Sequence, residues 1–179
     1  DALPIFIVQT LKGPTSGANA NKVIIPSGQT LECASAVVAP GSILQTATDA
    51  PGGQVTSTST TYADSNVSLT VTSTQANSKF VLSFTVGVSP SSHPAMNIKL
   101  VRRISGSDSE LSSSRIQRAN NTSSGDADRH GCFTLIDAPA QPAGTSITYI
   151  VQFATTGEGV QVRINDNSNS SIYLMEIAG

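Results

Sequence analysis

An alternation of apolar and polar residues between Lys79 and Gly87 is the feature that most constrains the fold of this chain. Phe80, Leu82, Phe84 and Val86 occupy every second position of that segment. Successive side chains of an extended chain point to opposite faces, so these four residues lie on one face. A period of two over this length indicates a β-strand with one face buried in a core.

Segments of this kind recur from residue 42 to the end of the chain, and turn sequences rich in Gly, Pro, Asn, Asp and Ser separate them. No segment keeps a helical period for more than two turns. Charged residues are only 12% of the chain, which fits strands joined by polar turns better than solvated helices. The predicted strands are 42–48, 53–61, 66–73, 78–88, 96–104, 110–117, 131–137, 145–155, 159–165 and 170–178.

Many short strands at regular spacing predict an all-β fold, an antiparallel β-sandwich of the jelly-roll kind. Segment 53–61 is nearly all Thr and Ser, which suits an edge strand or one exposed on both faces. The last strand is apolar on both sides, with Tyr173 and Met175 opposite Ile172 and Leu174. Such a strand is central, or it packs outward on a partner, so Tyr173 and Met175 are candidate interface residues.

Residues 1–41 lack this regularity and are predicted to form an extended N-terminal arm, followed by a β-sandwich domain at 42–179. Two short apolar stretches in the arm are too short and too far apart to bury a core alone. We therefore expect the arm to lie on another surface, by strand pairing and small apolar anchors. The candidate anchors are Leu3, Ile5, Ile7, Val23 and Ile25.

Charge and composition exclude several classes of partner. The net charge is −2 and the pI is about 5.5, which gives no electrostatic reason to expect binding to nucleic acid. The chain has no Trp and only 4% aromatic residues, which argues against stacking platforms for bases or sugars. No run of about 18 apolar residues exists, so we expect no membrane span.

The sequence contains no pattern that predicts an enzyme. A G-x-S-x-G elbow, a Gly-rich phosphate loop and zinc-type Cys/His spacing are all missing, and the glutamates are scattered. His130 and Cys132 are two residues apart, but Cys132 is expected to enter a core strand, where a thiolate is disfavoured. We therefore predict no catalytic residue and no cofactor.

One loop has spacing that resembles a calcium site. Asp126, Asp128 and His130 take positions one, three and five, Gly131 position six and Asp137 position twelve. His is a poor calcium ligand, the last position holds Asp where Glu reaches better, and the residues after Gly131 are predicted to form a strand. Asp126, Asp128 and Asp137 are therefore candidate calcium ligands, and the alternative interpretation is a polar loop that leads into a strand.

Two further groups of residues leave alternatives open. Cys33 and Cys132 can form one disulfide or remain two reduced thiols, because two cysteines do not make a disulfide scaffold. The basic residues of two neighbouring predicted strands are expected to pair with nearby Asp and Glu on the surface, or to face a subunit boundary. They are Lys99, Arg102, Arg103, Arg115 and Arg118, with Asp108, Glu110, Asp126 and Asp128 as partners.

Three stretches resemble a group of small β-rich virion proteins of marine and freshwater tailed phages. The first, Asn21–Leu31, reads NKVIIPSGQTL and is similar to the segment that precedes the globular domain in that group. The second comprises Gly41–Gln45, Thr61–Asp64 and Ser78–Leu82, and the third is the ending, Ser170–Ala178. These segments occur in the order of the group and extend over most of the chain, but each is only a strand-and-turn motif.

The resemblance implies a non-enzymatic structural protein of the virion, assembled in the host cytoplasm. We expect a homotrimeric capsid decoration, or cement, protein that holds the major capsid protein or another virion protein through its arm. The alternative is a tail-fibre or receptor-binding tip, although the chain lacks the long repetitive shaft of a fibre. No catalytic residues are implied by the resemblance.

Overall fold

The computed structural model describes residues 15–17, 27–28, 30, 39–90, 96–116, 129–157, 159–165 and 170–179. The chain divides into two units, Asp1–Val37 and Val38–Gly179. The second unit holds every strand among the described residues. The first unit lies almost wholly outside them, and so do all five anchors predicted for the arm. The arm therefore stays a prediction.

The described residues form ten strands that follow the order of the predicted ones. Within these residues, no helix is long and apolar enough to cross a membrane. The strands are β1 Ile43–Asp49, β2 Val55–Ser57, β3 Ala63–Thr72, β4 Lys79–Pro90, β5 Met96–Ile104, β6 Ser107–Ile116, β7 Arg129–Asp137, β8 Ser146–Thr155, β9 Val162–Ile164 and β10 Ser171–Ile177.

The largest difference from prediction is β2, which has three residues where a strand at 53–61 was expected. The hydroxyl of Ser57 accepts from the backbone N–H of Ser59, and the hydroxyl of Ser59 accepts from that of Thr61. Short polar side chains thus satisfy backbone groups that a strand partner would otherwise take. The chain consequently leaves the sheet after Ser57, although β2 does lie at a sheet edge as expected.

All strand pairings are antiparallel and form two sheets, here sheet A and sheet B. Sheet A contains β1, β10 and β4 in that order, with β7 on the other side of β4. β9 pairs with β4 at Val88–Pro90, beyond the residues that pair with β10, and β2 pairs with β9. β9 and β10 therefore form one column of the sheet, and β1 and β2 form the next. Sheet B has the order β3-β8-β5-β6.

This topology is that of a jelly roll. When β1 with β2 and β9 with β10 are each counted as one interrupted strand, eight strands remain in chain order. Sheet A then reads first, eighth, third, sixth, and sheet B reads second, seventh, fourth, fifth. Such an order arises when paired antiparallel strands wrap together into two Greek keys. The predicted antiparallel sandwich of jelly-roll type is confirmed.

The core lies between the two sheets and uses the predicted inward positions. Phe80, Leu82, Phe84 and Val86 of β4 are at most 1% exposed. Opposite them, sheet B contributes a second buried row along β5 and β8, including Met96, Ile98, Leu100, Ile147, Val151 and Phe153. Each such side chain stabilises the fold by about 1.5–3 kcal/mol through removal of apolar surface from water. The period of two in the sequence therefore corresponds to the real inner faces.

Candidate functional site

The outer face of sheet A, which points away from the core, carries the exposed apolar residues of the described chain. Residues paired across strands share a face, so the register places Ile43 and Ile177 beside Lys79. The next row is Thr46, Met175, Val81 and Ile136, and the row after it is Thr48, Tyr173, Ser83 and Thr134. We call the apolar members the sheet A patch: Ile43, Val81, Ile136, Tyr173, Met175 and Ile177.

Exposure makes this patch unusual for a small β domain. Ile43 is 60% exposed, Ile136 is 68% exposed and Tyr173 is 39% exposed. Among the described residues, these three are the exposed large hydrophobic side chains, and all of them lie on the outer face of sheet A. Single exposed apolar residues are ordinary, whereas a contiguous group on one face marks a surface for interaction.

The two interface residues predicted from the last strand both lie in the sheet A patch. β10 lies between β1 and β4, so Ile172 and Leu174 fill the core while Tyr173 and Met175 face outward. The strand is therefore central, and its outer side is also apolar. The central position of β10 explains why Ile172 and Leu174 are apolar. It does not explain Tyr173 and Met175, because no third layer of strands among the described residues covers the outer face.

Sequence reasoning missed Ile43, Val81 and Ile136 as members of the patch. Two of them stand next to an inward apolar residue, as Ile136 follows Leu135 and Val81 follows Phe80. Two consecutive apolar residues in an alternating strand put one of them on the outer face. That signal was present in the sequence, but only strand pairing shows that the three outward residues are neighbours.

A buried polar cluster joins the two sheets at one end of the sandwich. The Arg102 guanidinium donates from Nη1 to Oδ1 of Asp137 at 2.6 Å, and the Tyr149 hydroxyl donates to Oδ2 at 2.9 Å. The Phe80 and Tyr149 rings lie 6.0 Å apart. Burial, followed by the Asp137 charge, raises the pKa of Tyr149 far above its usual value, so its hydroxyl stays a donor.

This cluster corrects the expectation for Arg102 and shows the surroundings of Asp137. Arg102 was expected to pair on the surface, but its position in β5 directs its side chain inward, where it forms an ion pair with Asp137. Asp137 was the last ligand of the candidate calcium loop, but it ends a nine-residue strand and both its carboxylate oxygens accept hydrogen bonds. Asp126 and Asp128 lie outside the described residues. Within the described ranges, no three His, Cys, Asp or Glu side chains are grouped to hold a metal ion.

A second buried carboxylate, Glu176 of β10, secures the loop between β3 and β4. Its Oε1 accepts from the backbone N–H of Thr74 at 2.8 Å, and its Oε2 accepts from the amide of Gln45. Glu176 is fully buried. Burial by itself raises the pKa of a carboxyl, but hydrogen bonds from Ser78, Gln45 and Thr74 outweigh that effect, so the pKa of Glu176 lies below its usual value.

The outer face of sheet B differs from that of sheet A, because its apolar residues Val101 and Ile150 are buried and a network of charged side chains lies beside them. Arg103 donates two hydrogen bonds to Asp64 and two to Asp108, and the Gln152 amide donates to both carboxylates. The hydrogen bonds from Arg103 lower the pKa of both Asp64 and Asp108. Surface pairing of Arg103 with Asp108 is confirmed, and so is that of Lys99 with Glu110 at 3.8 Å.

Cys132 and His130 both lie on the outer face of sheet A. Cys132 was expected in the core, but it is a free, exposed cysteine on the outer face of sheet A. The register explains the difference, because Cys132 pairs with Thr85, which alternates with the inward Phe84 and Val86. His130 is also exposed on that face. Cys33, His93 and Arg118 lie outside the described residues.

Comparisons with known proteins add a distant likeness. No protein-family model and no curated protein matches this sequence. Two solved structures of infectious bursal disease virus are similar: the Gx strain (14% identity, TM-score 0.46, 93% of this chain and 41% of that one) and the VP2 subviral particle (13%, 0.43, 93% and 46%). The C-terminal domain of EclA, a sugar-binding protein, gives 16% identity and a TM-score of 0.29 over 87% of this chain and 92% of that one.

The chain thus spans less than half the length of the viral chains that it matches. All three TM-scores lie below 0.5, and all three identities lie well below 25%. Likeness at this level carries no argument about what the protein binds or assembles with.

Proposed function

We propose that this protein is a non-enzymatic structural protein of a bacteriophage virion, a homotrimeric capsid decoration protein that is anchored through its N-terminal arm. Its activity lies in surfaces and not in a pocket. The observation that carries this proposal is the sheet A patch: the described domain exposes apolar side chains together on one flat face, as an assembly protein does.

The polar groups buried in the described sandwich support a structural role. Arg102, Asp137 and Tyr149 satisfy one another between the sheets, and Glu176 holds a loop. A catalytic acid or base needs a free lone pair or proton directed towards a substrate. Here the carboxylate oxygens are occupied by internal donors, which favours stabilisation of the fold over chemistry.

The segments that resemble phage virion proteins support the assignment of this protein to a bacteriophage virion. Gly41–Gln45 enters β1, Ser78–Leu82 begins β4 and Ser170–Ala178 includes all of β10. These three strands are neighbours in sheet A, in the order β1, β10, β4. Three of the five stretches that carry the resemblance therefore lie in the sheet whose outer face is apolar, while Thr61–Asp64 enters β3 of sheet B.

The arm supplies attachment in this proposal. Its anchors, Leu3, Ile5, Ile7, Val23 and Ile25, are spaced as in short strands, which bind by backbone pairing at a sheet edge of the shell protein. Three arms in one trimer multiply a weak single contact by raising the effective concentration of the second and third arms. The partners are other copies of this chain and the major capsid protein or another virion protein, in particles assembled in the host cytoplasm.

The test is deletion of residues 1–40 from the purified protein, followed by binding to particles that lack it. We expect a folded β domain, judged by far-ultraviolet circular dichroism and a cooperative melt, that no longer sediments with the particles. A full-length variant with Leu3→Ser, Ile5→Ser and Ile7→Ser is the matched comparison, because it keeps the length of the arm and removes three of its five anchors, and we expect it to bind the particles more weakly than the wild type. Normal decoration by the truncated protein would refute anchoring.

Localisation by cryo-electron microscopy separates this proposal from the tail-fibre alternative. A decoration protein covers the shell in numbers comparable to those of the major capsid protein, whereas a fibre or receptor-binding tip is confined to the tail in far fewer copies. Density at the tail alone would replace the decoration role with the tip role.

A further inference from the structure

We infer that the outer face of sheet A is buried against a second copy of this chain. This inference deepens the proposed self-association by naming its surface, but it does not depend on where the protein lies in a virion. If the virion role were disproved, the inference about self-association would still hold, because it concerns the purified chain alone.

The chemistry of the face matches the centre of an interface. From the Met175 row to the Cys132 row, the outward positions of β1, β10, β4 and β7 are apolar, hydroxyl-bearing or thiol side chains. The charged or imidazole side chains stand at the rims, with Lys79 at one end and His130 and Arg163 at the other. Interface cores are depleted of charge and enriched in Tyr and Met, and rim charges stay solvated.

The opposite face of the sandwich provides an internal comparison. The outer face of sheet B carries Asp64, Arg103 and Asp108 in a closed network of hydrogen bonds, and its apolar residues Val101 and Ile150 are at most 5% exposed. Such a surface is satisfied in water and gains little from burial. The two faces belong to one small domain, so the contrast between them points to a different environment for each in the assembled state.

The size of the face is close to what a specific interface needs. Four strand columns at about 4.8 Å and seven residues at about 3.3 Å give a flat area of roughly 440 Å² per copy. Side chains make the accessible area larger than the flat area, so two copies together bury about 1,000 Å² or more, near the lower limit for specific association.

A second copy fits this face better than a dissimilar partner. Recognition of a different protein is usually directed by complementary charge, and the centre of this face offers none. Association of identical copies needs only a surface compatible with itself or with a neighbouring edge. A flat β face packs on another at about 10 Å with interleaved side chains, which is the arrangement that already joins sheets A and B within the sandwich.

The test changes the most exposed residue of the patch, Ile136 on the edge strand β7. Ile136→Asp places a charge on a side chain that is 68% exposed in the single chain, so the fold should tolerate it. In the assembly the same charge would be desolvated, and we expect the dissociation constant between copies to rise about a hundredfold or more. Ser113→Asp, at an exposed position on sheet B, is the matched control and should leave the association unchanged.

Mass is measured by analytical ultracentrifugation of the full chain over a range of concentrations. The inference predicts an oligomer for the wild type and the control, and a monomer for Ile136→Asp and for a second patch variant, Tyr173→Thr. A monomeric wild type at high micromolar concentration overturns it. An oligomer that survives both patch variants with melts like those of the wild type also overturns it, because the copies must then meet elsewhere.

Cys132 supplies an independent readout on the same face. Its thiol is exposed in the single chain and lies two columns from Tyr173. Labelling with N-ethylmaleimide, followed by peptide mass spectrometry, distinguishes it from Cys33 without a mutation. We expect slow labelling of Cys132 in the assembled wild type and at least about tenfold faster labelling in Ile136→Asp, since modification then needs no dissociation. Equal rates in the two proteins would contradict burial of this face.

Discussion

Adjacent arginines on opposite faces of β5 offer a direct test of the buried cluster. Arg102 points inward to Asp137, and its side chain is 19% exposed while that of Asp137 is 6% exposed. Arg103 points outward to Asp64 and Asp108, and its side chain is 31% exposed. We predict that Arg102→Met destabilises the domain strongly, whereas Arg103→Met has a small effect.

The magnitude follows from what each change leaves behind. Removal of Arg102 leaves the Asp137 carboxylate buried with only the Tyr149 hydroxyl, and loss of one partner from a buried pair costs about 3–5 kcal/mol. Residual exposure of Arg102 lets water reach the site, so we expect the lower end, about 3 kcal/mol. Removal of Arg103 leaves carboxylates that water can solvate, which costs about 1 kcal/mol or less.

The assay is thermal and urea unfolding of both variants at neutral pH and one protein concentration, with the double variant Arg102→Met/Asp137→Leu beside them. For a domain of this size about 3 kcal/mol lowers Tm by roughly 6–12 °C, and Arg103→Met should lower it by about 4 °C or less. The double variant should recover most of the loss because no unpaired charge remains. Equal losses for the two arginine variants would refute the inward placement of Arg102.

Two further predictions concern Glu176 and the hairpin between β5 and β6. The pKa of Glu176 is lower in the folded protein than in the unfolded chain, so its contribution to stability is present above the unfolded pKa and is lost as pH falls through the folded pKa. The free energy of unfolding should therefore decline below about pH 4.5. The variant Glu176→Gln should be less stable than the wild type by about 1–3 kcal/mol at pH 7, and its stability should fall less steeply in acid. An equally steep decline in that variant, measured by urea unfolding at stepped pH, would assign the acid sensitivity to other groups. Ser105 and Gly106 form the two-residue turn between β5 and β6 with φ of 49° and 80°, the left-handed pair of a type I′ hairpin. Gly106→Ala should therefore cost about 1 kcal/mol and Ser105→Asn should stabilise by a few tenths, and a Tm change of opposite sign for either would contradict this turn type.

Most of the secondary structure could be predicted from the sequence because strand periodicity is local. Each inward set, such as Phe80, Leu82, Phe84 and Val86, is visible within nine residues, and Ser105–Gly106 lies in a turn sequence that interrupts the pattern. The two-sided last strand likewise marked Tyr173 and Met175 before any neighbour was known. The jelly-roll type was an expectation from the number and spacing of strands, not from their pairing.

Tertiary structure decided which strands are neighbours, and with them which surfaces exist. Ile43, Val81 and Ile136 stand 38 and 55 residues apart along the chain, so no local pattern shows that β1, β4 and β7 bring them to one face. The same holds for charge: Arg102 and Arg103 look alike in the sequence, and only the register of β5 with β8 sends one to Asp137 and the other to Asp64. Local periodicity determines which residues of a strand share a face. The side chains that each face contacts depend on strand pairings between segments far apart in the sequence, so only the complete fold determines them.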